Sequence, residues 1–150
     1  MTRDEQIRAG IMRSRQTMAL TVAESWRLLQ SVPLGRIVFT HHAMPAVRPV
    51  NHVIDGQTII IRSHLGAAIV GHAAAGGDGA VVCYEADDID VARHTGWSVI
   101  ATGPARLVHD PDVIARYKQQ LVPWVERPMG YVIAITPQSI TGLRLAGWRD

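Results

Sequence analysis

Two short stretches constrain this chain most: Arg48-Pro49-Val50-Asn51-His52 and Gly96-Trp97-Ser98-Val99-Ile100-Ala101-Thr102-Gly103. Both have β-type composition, yet each carries polar or aromatic groups where a plain core strand holds only aliphatics. Between them, Ile59-Ile60-Ile61-Arg62-Ser63 ends an isoleucine run in an arginine and a hydroxyl. Further β-type runs span Arg36 to His41, Ala46 to Ile54, Gln57 to Ser63, Ala80 to Ala86, Trp97 to Val108, Tyr131 to Ile135 and Ser139 to Leu145. His42-Ala43-Met44-Pro45 reads as a hairpin connection, and Asp55-Gly56 is a strong turn signal between apolar runs. About seven strands joined mostly by hairpins predict a mainly β fold, an antiparallel barrel that avoids long exposed sheet edges.

Short helices fill the gaps. Thr21-Val22-Ala23-Glu24 forms a capping box, with Val22, Trp26 and Leu29 on one helical face and Leu28 beside them. Pro33 and Gly35 stop that helix. Leu65 to Ala75 is alanine-rich and helix-compatible, closed by Gly76-Gly77. Asp110 caps a third helix with Pro111 in its first turn and Val113, Ile114, Tyr117 and Leu121 as its apolar stripe. Asp87 to Thr95 reads as a polar loop, and the long strand from Trp97 has a bend signal at Gly103-Pro104. Residues 1–19 lack a clean period and are expected to form a mobile arm or a short helix, leaving 20–150 as one domain.

Composition excludes several classes. With 47% apolar and 19% charged residues in a chain of 150, a folded single domain is expected without disulfides or a structural metal. No apolar run approaches the roughly 18 residues that span a bilayer, so no membrane role is expected, and the charged N-terminus lacks the apolar block of a secretory signal. The single cysteine, Cys83, suits a reducing cytoplasm. All but one of the 15 basic residues are arginines, scattered along the chain, and the net charge is only +2. The densest group, Arg3, Arg8, Arg13 and Arg15, reads as a solvated or partner-wrapping arm rather than a nucleic-acid surface.

Local motifs add little chemistry. Gly76-Gly77-Asp78-Gly79 precedes a strand rather than a helix and lacks the spacing of a dinucleotide turn. The seven histidines show no metal-ligand spacing, and the adjacent His41 and His42 would point to opposite faces of a strand. Glu85, Asp87, Asp88 and Asp90 read as solvated carboxylates, and Cys83, in an apolar run, as an inert core thiol. No nucleophile elbow is present.

The strand constellation carries more. In the strand from Ala46 to Ile54, Val47, Pro49, Asn51 and Val53 share one face, and Arg48, Val50, His52 and Ile54 the other. Pro49 lacks an N–H, which interrupts the ladder and leaves neighbouring backbone groups for a ligand. Arg62, Ser63 and the start of the alanine-rich helix together suit a phosphate. Trp97 either fills a barrel end or walls a flat aromatic ligand. Trp26 and Trp124 read as core or interface anchors.

Leu34-Gly35-Arg36-Ile37-Val38-Phe39, Arg48-Pro49-Val50-Asn51-His52, Arg62-Ser63, Tyr84-Glu85-Ala86-Asp87 and Gly96-Trp97-Ser98-Val99 occur in this order from about Leu28 to Leu145. In order and spacing they resemble the pyridoxamine 5'-phosphate oxidase-like split-barrel proteins, especially the small actinobacterial flavin/deazaflavin type. The resemblance implies a flavin-binding antiparallel split barrel and a homodimer with cofactor sites at the subunit interface. Carried onto this chain, Arg48, Pro49, Val50, Asn51 and His52 would lie at the isoalloxazine ring. Ile61, Arg62, Ser63, His64 and the following segment, including Ala68, would lie at the ribityl chain and phosphate. Trp97 and Ser98 would approach from the neighbouring subunit. Arg48, His52 and Arg62 would be the cationic or potentially cationic groups beside an anionic reduced flavin.

One departure stands out. Relatives place a lysine or arginine in the first turn of the helix after Arg62-Ser63, where this chain has Ala67-Ala68. FMN held by Arg62, Ser63 and backbone N–H groups, FAD with its longer tail, and a deazaflavin all remain open on this reading. The expected function is a flavin-dependent oxidoreductase acting on an unidentified small-molecule substrate. A flavin-binding or sequestering protein without turnover, and a structural dimer with an empty pocket, are the alternatives. No residue stands out as a general acid or base.

Overall fold

The computed structural model describes residues 17–70, 79–122 and 130–146. Among these, the elements in chain order are β1 (Thr17–Ala19), α1 (Val22–Ser31), β2 (Leu34–His41), β3 (Met44–Asp55), β4 (Thr58–Ser63), α2 (Gly66–Val70), β5 (Ala80–Asp90), β6 (Thr95–Leu107), α3 (Pro111–Gln120), β7 (Tyr131–Ile135) and β8 (Ser139–Ala146). All the strand pairings are antiparallel. The sheet runs β1-β8-β6-β5-β2-β3-β4-β7, and a further β6–β7 pairing closes its inner strands into the predicted barrel.

The closure depends on β6 changing partners midway. Thr95 to Thr102 pair with β8, whereas Ala105 to Leu107 pair with β7. The change falls at Gly103-Pro104, where the bend signal stood. There the Thr136 N–H donates to the Pro104 carbonyl at 3.1 Å, and the Gln138 N–H to the Thr102 carbonyl at 2.8 Å. A side chain on Gly103 would collide with the Thr136 carbonyl, so this crossing needs a glycine.

Alternation sorts the side chains. Ile37, Ile59, Ile61, Tyr84, Trp97, Val99, Ile133 and Ile135 fill the interior with Leu29 of α1. On the outside, Tyr117 of α3 and Leu121, which caps its C-terminal end, cover Ile60 and Val132. Each large apolar side chain buried in this way stabilises the fold by roughly 1.5–3 kcal/mol. The Tyr117 hydroxyl also donates to Asp55, which ties α3 to the β3–β4 turn. Asp110 and Pro111 begin α3 as expected, with Asp110 Oδ1 accepting from the Asp112 N–H at 2.9 Å.

Several local expectations change. The β2–β3 connection is shorter than His42 to Pro45: His42 and Ala43 form a two-residue turn with φ of 51° and 59°, and Met44 already pairs with His41. Such a turn matches the strand twist even without glycine. The polar loop expected from Asp87 is mostly strand, because β5 stays paired with β6 from Ala80↔Ala105 to Asp90↔Thr95. The ladder overrides the acidic composition there. Thr17–Ala19, placed in the arm, form a strand on β8 and add an eighth strand among the described residues. The capping box of α1 is present, but the helix is turned so that Ser25 and Leu29 are buried and Val22 is 56% exposed. Ser25 tolerates burial because its hydroxyl donates to the Thr21 carbonyl at 2.9 Å. Cys83 is half-buried on the outer face, with Sγ 3.1 Å from Thr102 Oγ1, and is not a core thiol. The helix expected to Ala75 is described only to Val70; the arm before Thr17, the Gly76-Gly77-Asp78 run, Trp124 and Trp148 lie outside the described residues. Among the described residues no helix is long and apolar enough to cross a membrane.

Candidate functional site

The two strands that carry most of the expected site lie side by side, with His52 opposite Ile61. Both of these side chains point into the barrel, and Ile61 is fully buried. His52 is 5% exposed. Its Nε2–H donates to the Leu29 carbonyl at 2.8 Å, and its Nδ1 accepts from the Tyr84 hydroxyl. That pair of contacts selects the neutral Nε2–H tautomer. Burial lowers the His52 pKa, and burial raises that of Tyr84. His52 is therefore a neutral core residue, and the sequence-based view of it as a cation beside a flavin does not match its surroundings.

Stepping one residue along each strand reverses the face. Asn51 and Arg62 project outward, beside the C-terminal end of α3. Asn51 Nδ2 donates to the Val122 carbonyl at 3.0 Å, and Arg62 Nη1 to the Leu121 carbonyl at 3.5 Å. Arg62 is half-buried and runs over Gly130, just before β7. Two neighbouring donors, one of them a fixed cation, suit an anionic ligand rich in oxygen acceptors. The carbonyls of Leu121 and Val122 play that acceptor part here.

The remaining expected residues divide between the faces. Pro49 is exposed on the Asn51 side, opposite Arg36 of β2. Arg48 is exposed, with Nη1 donating to the Val47 carbonyl at 2.7 Å. Val50 is half-buried against the core, and its carbonyl lies 3.4 Å from the Tyr84 oxygen. Ser63 faces inward, opposite to Arg62, and accepts from the Leu65 N–H at 3.1 Å. Arg62 and Ser63 thus do not converge through their side chains. His64 is exposed, and Ala68 of α2 packs on the core. Trp97 is 6% exposed in the core, so the barrel-filling alternative is the one observed. Ser98 lies outward on β6, between Asp87 and Leu143.

Sequence reasoning missed Leu121, Val122, Gly130 and Tyr84. The first two act through backbone carbonyls, which no residue pattern reveals. It also missed the apolar exposure, among the described residues, of the outer sheet face beyond Pro49. Arg36 there bridges Glu85 at 3.0 Å and Asp87 at 3.2 Å, and the carboxylates raise its pKa. Val47, Val81, Ile100 and Leu143 are exposed around this network. Among the described residues no three His, Cys, Asp or Glu side chains gather as a metal site.

Comparison with known proteins supplies the lineage. The chain is 46% identical over 139 residues to the uncharacterized protein Rv0080 of Mycobacterium tuberculosis, covering 92% of this chain and 91% of that one. Among solved structures it resembles the FAD binding protein of Mycobacterium smegmatis, with 33% identity, a TM-score of 0.63, and 85% and 96% of the two chains covered. It also resembles a candidate pyridoxamine 5'-phosphate oxidase of Corynebacterium glutamicum, with 28% identity, a TM-score of 0.72, and 87% and 98% covered. The family model described as pyridoxamine 5'-phosphate oxidase matches residues 21–144, most of the barrel. By fold and by sequence, the chain belongs to the pyridoxamine 5'-phosphate oxidase family.

Proposed function

We propose that the protein binds a flavin on the outer face of β3 and β4, in a homodimer, and serves as a flavin-dependent oxidoreductase for a small molecule. The observation that carries this reading is the pairing of Asn51 and Arg62 as outward donors beside a sheet face with exposed apolar residues. The name of the M. smegmatis relative, an FAD binding protein, supports a flavin and favours FAD among flavins. Arg62 and Asn51 hold the anionic or carbonyl oxygens of the cofactor, with Pro49 beside the ring and Arg48 and Val50, on the His52 side of β3, behind it. His64 lies toward the cofactor tail, and Ser98 is contributed by the partner subunit. His52, Ile61, Ser63, Ala68 and Trp97 hold these strands from inside rather than touch the ring.

The bound flavin would supply the redox chemistry, while the chain orients it and fixes a positive charge nearby. Exposed Val47, Val81, Ile100 and Leu143, continuous with Pro49, support a second copy covering this face. A binding protein without turnover is the second reading. It is favoured by Pro49 and Asn51, whose side chains carry no acid or base group.

Mass spectrometry of the small molecule that co-purifies, with titration of FMN, FAD and a deazaflavin, tests the cofactor. A retained flavin or micromolar binding is expected; neither would overturn both readings. Reduction by a nicotinamide donor followed by turnover of an acceptor separates oxidoreductase from binding protein.

A further inference from the structure

We infer that Gly130 is a positioning residue for the Arg62 guanidinium, leaving the space through which Arg62 reaches the anionic group of the cofactor. The inference rests on the proposed flavin site and names a residue that acts through another. Gly130 immediately precedes Tyr131, the β7 partner of Ser63, and the next β7 residue, Val132, pairs with Arg62. The arginine stem thus lies against the Gly130 backbone as it leaves β4.

A Cβ on Gly130 would come 2.8 Å from Arg62 Nε, 2.9 Å from its Cγ and 3.4 Å from its Cδ. The first two distances are shorter than side-chain Cβ atoms ever approach a neighbour, so the arginine must move. Cγ sits one bond from Cβ, so relief requires the whole arginine side chain to turn about its first bonds. The guanidinium cannot keep its direction, because the stem that aims it is what the new methyl meets. At the other end the Leu121 carbonyl, 3.5 Å from Nη1, is too long a contact to hold the group alone. Gly130 therefore works by lacking a side chain, and a substitution there should read out at Arg62 rather than in stability.

The test is a double-mutant cycle of Gly130→Ala and Arg62→Ala, read by titrating FMN and riboflavin, which differ by the phosphate alone, with melting temperatures recorded for every variant. Gly130→Ala should weaken FMN about tenfold, change riboflavin affinity less than twofold, and have no further effect once Arg62 is alanine. A wild-type FMN affinity in Gly130→Ala overturns the inference. So does an equal penalty in the Arg62→Ala background or on riboflavin. If Arg62→Ala binds FMN as tightly as wild type, Arg62 is not the anion contact and the inference falls while flavin binding stands. Failure of the wild-type protein to bind any flavin would instead remove the functional reading beneath it.

Discussion

His52 accepts a hydrogen bond from the Tyr84 hydroxyl and passes one on to the Leu29 carbonyl, joining β5, β3 and α1 through one buried imidazole. Leu29 lies in the last turn of α1, whose final carbonyls have no partner within the helix. His52 therefore completes the end of that helix, and Asn51, next to it, reaches out to the candidate site. The inner and outer faces of β3 are thereby linked: what holds His52 also sets where Asn51 starts.

Stability should fall with pH before the carboxylates titrate. Burial depresses the folded-state pKa of His52 below its ordinary 6.5, so the unfolded chain binds the extra proton first. The contribution is full above pH 6.5 and is lost as pH falls from there toward the depressed folded value. The slope approaches about 1.4 kcal/mol per pH unit for one proton. Urea unfolding of wild type and His52→Gln between pH 7.5 and 5 checks this: the variant is less stable at pH 7.5, but its curve should be flatter over this window.

Tyr84→Phe isolates the other end of the same chain of contacts. The ring still fills the interior beside Ile37, but His52 Nδ1 loses its donor in a place water does not reach. A buried acceptor left unsatisfied costs about 1–3 kcal/mol. Denaturant midpoints should move by that amount with an unchanged m-value, and a stability equal to wild type would mean that the hydroxyl contributes nothing.

Arg62→Ala bears on the site instead. Losing a charge-assisted contact typically removes roughly 1.5–3 kcal/mol, or ten- to a hundredfold in affinity. Flavin titration should show that loss for FMN, while the melting temperature of the unliganded protein moves little, because Arg62 lies outside the main core. Unchanged affinity would relocate the anion contact.

The architecture was legible in the sequence for physical reasons. Isoleucine and valine runs punctuated by Asp55-Gly56 and Gly103-Pro104 mark strands and their ends, and Thr21 and Asp110 mark helix starts by cap chemistry alone. Asp87 to Asp90 misled because a paired ladder can carry solvated carboxylates where its end stays open to water. The site was only half legible. Alternation separated Asn51 from His52, yet which set faced inward depended on Tyr84 and Leu29, at sequence distances of 32 and 23 residues. Arg62 and Ser63 read as one pocket because adjacency in sequence conceals that neighbouring strand residues part company.

Oligomeric state supplies the remaining check. Ile100 and Leu143 stand exposed on adjacent strands of the outer face, clear of the inward-facing core. In an isolated barrel, Ile100→Lys would replace one exposed side chain with another at nearly no cost. In a homodimer that closes over this face, the same change buries an unpaired ammonium, which is strongly unfavourable. Sedimentation of wild type should therefore give a dimer and Ile100→Lys a folded monomer with intact far-UV spectra. If the candidate site draws Ser98 from the second subunit, flavin affinity should fall together with the dimer, although Ile100 itself touches neither Asn51 nor Arg62 across the sheet. A monomeric wild type that still binds flavin would place the whole site within one chain.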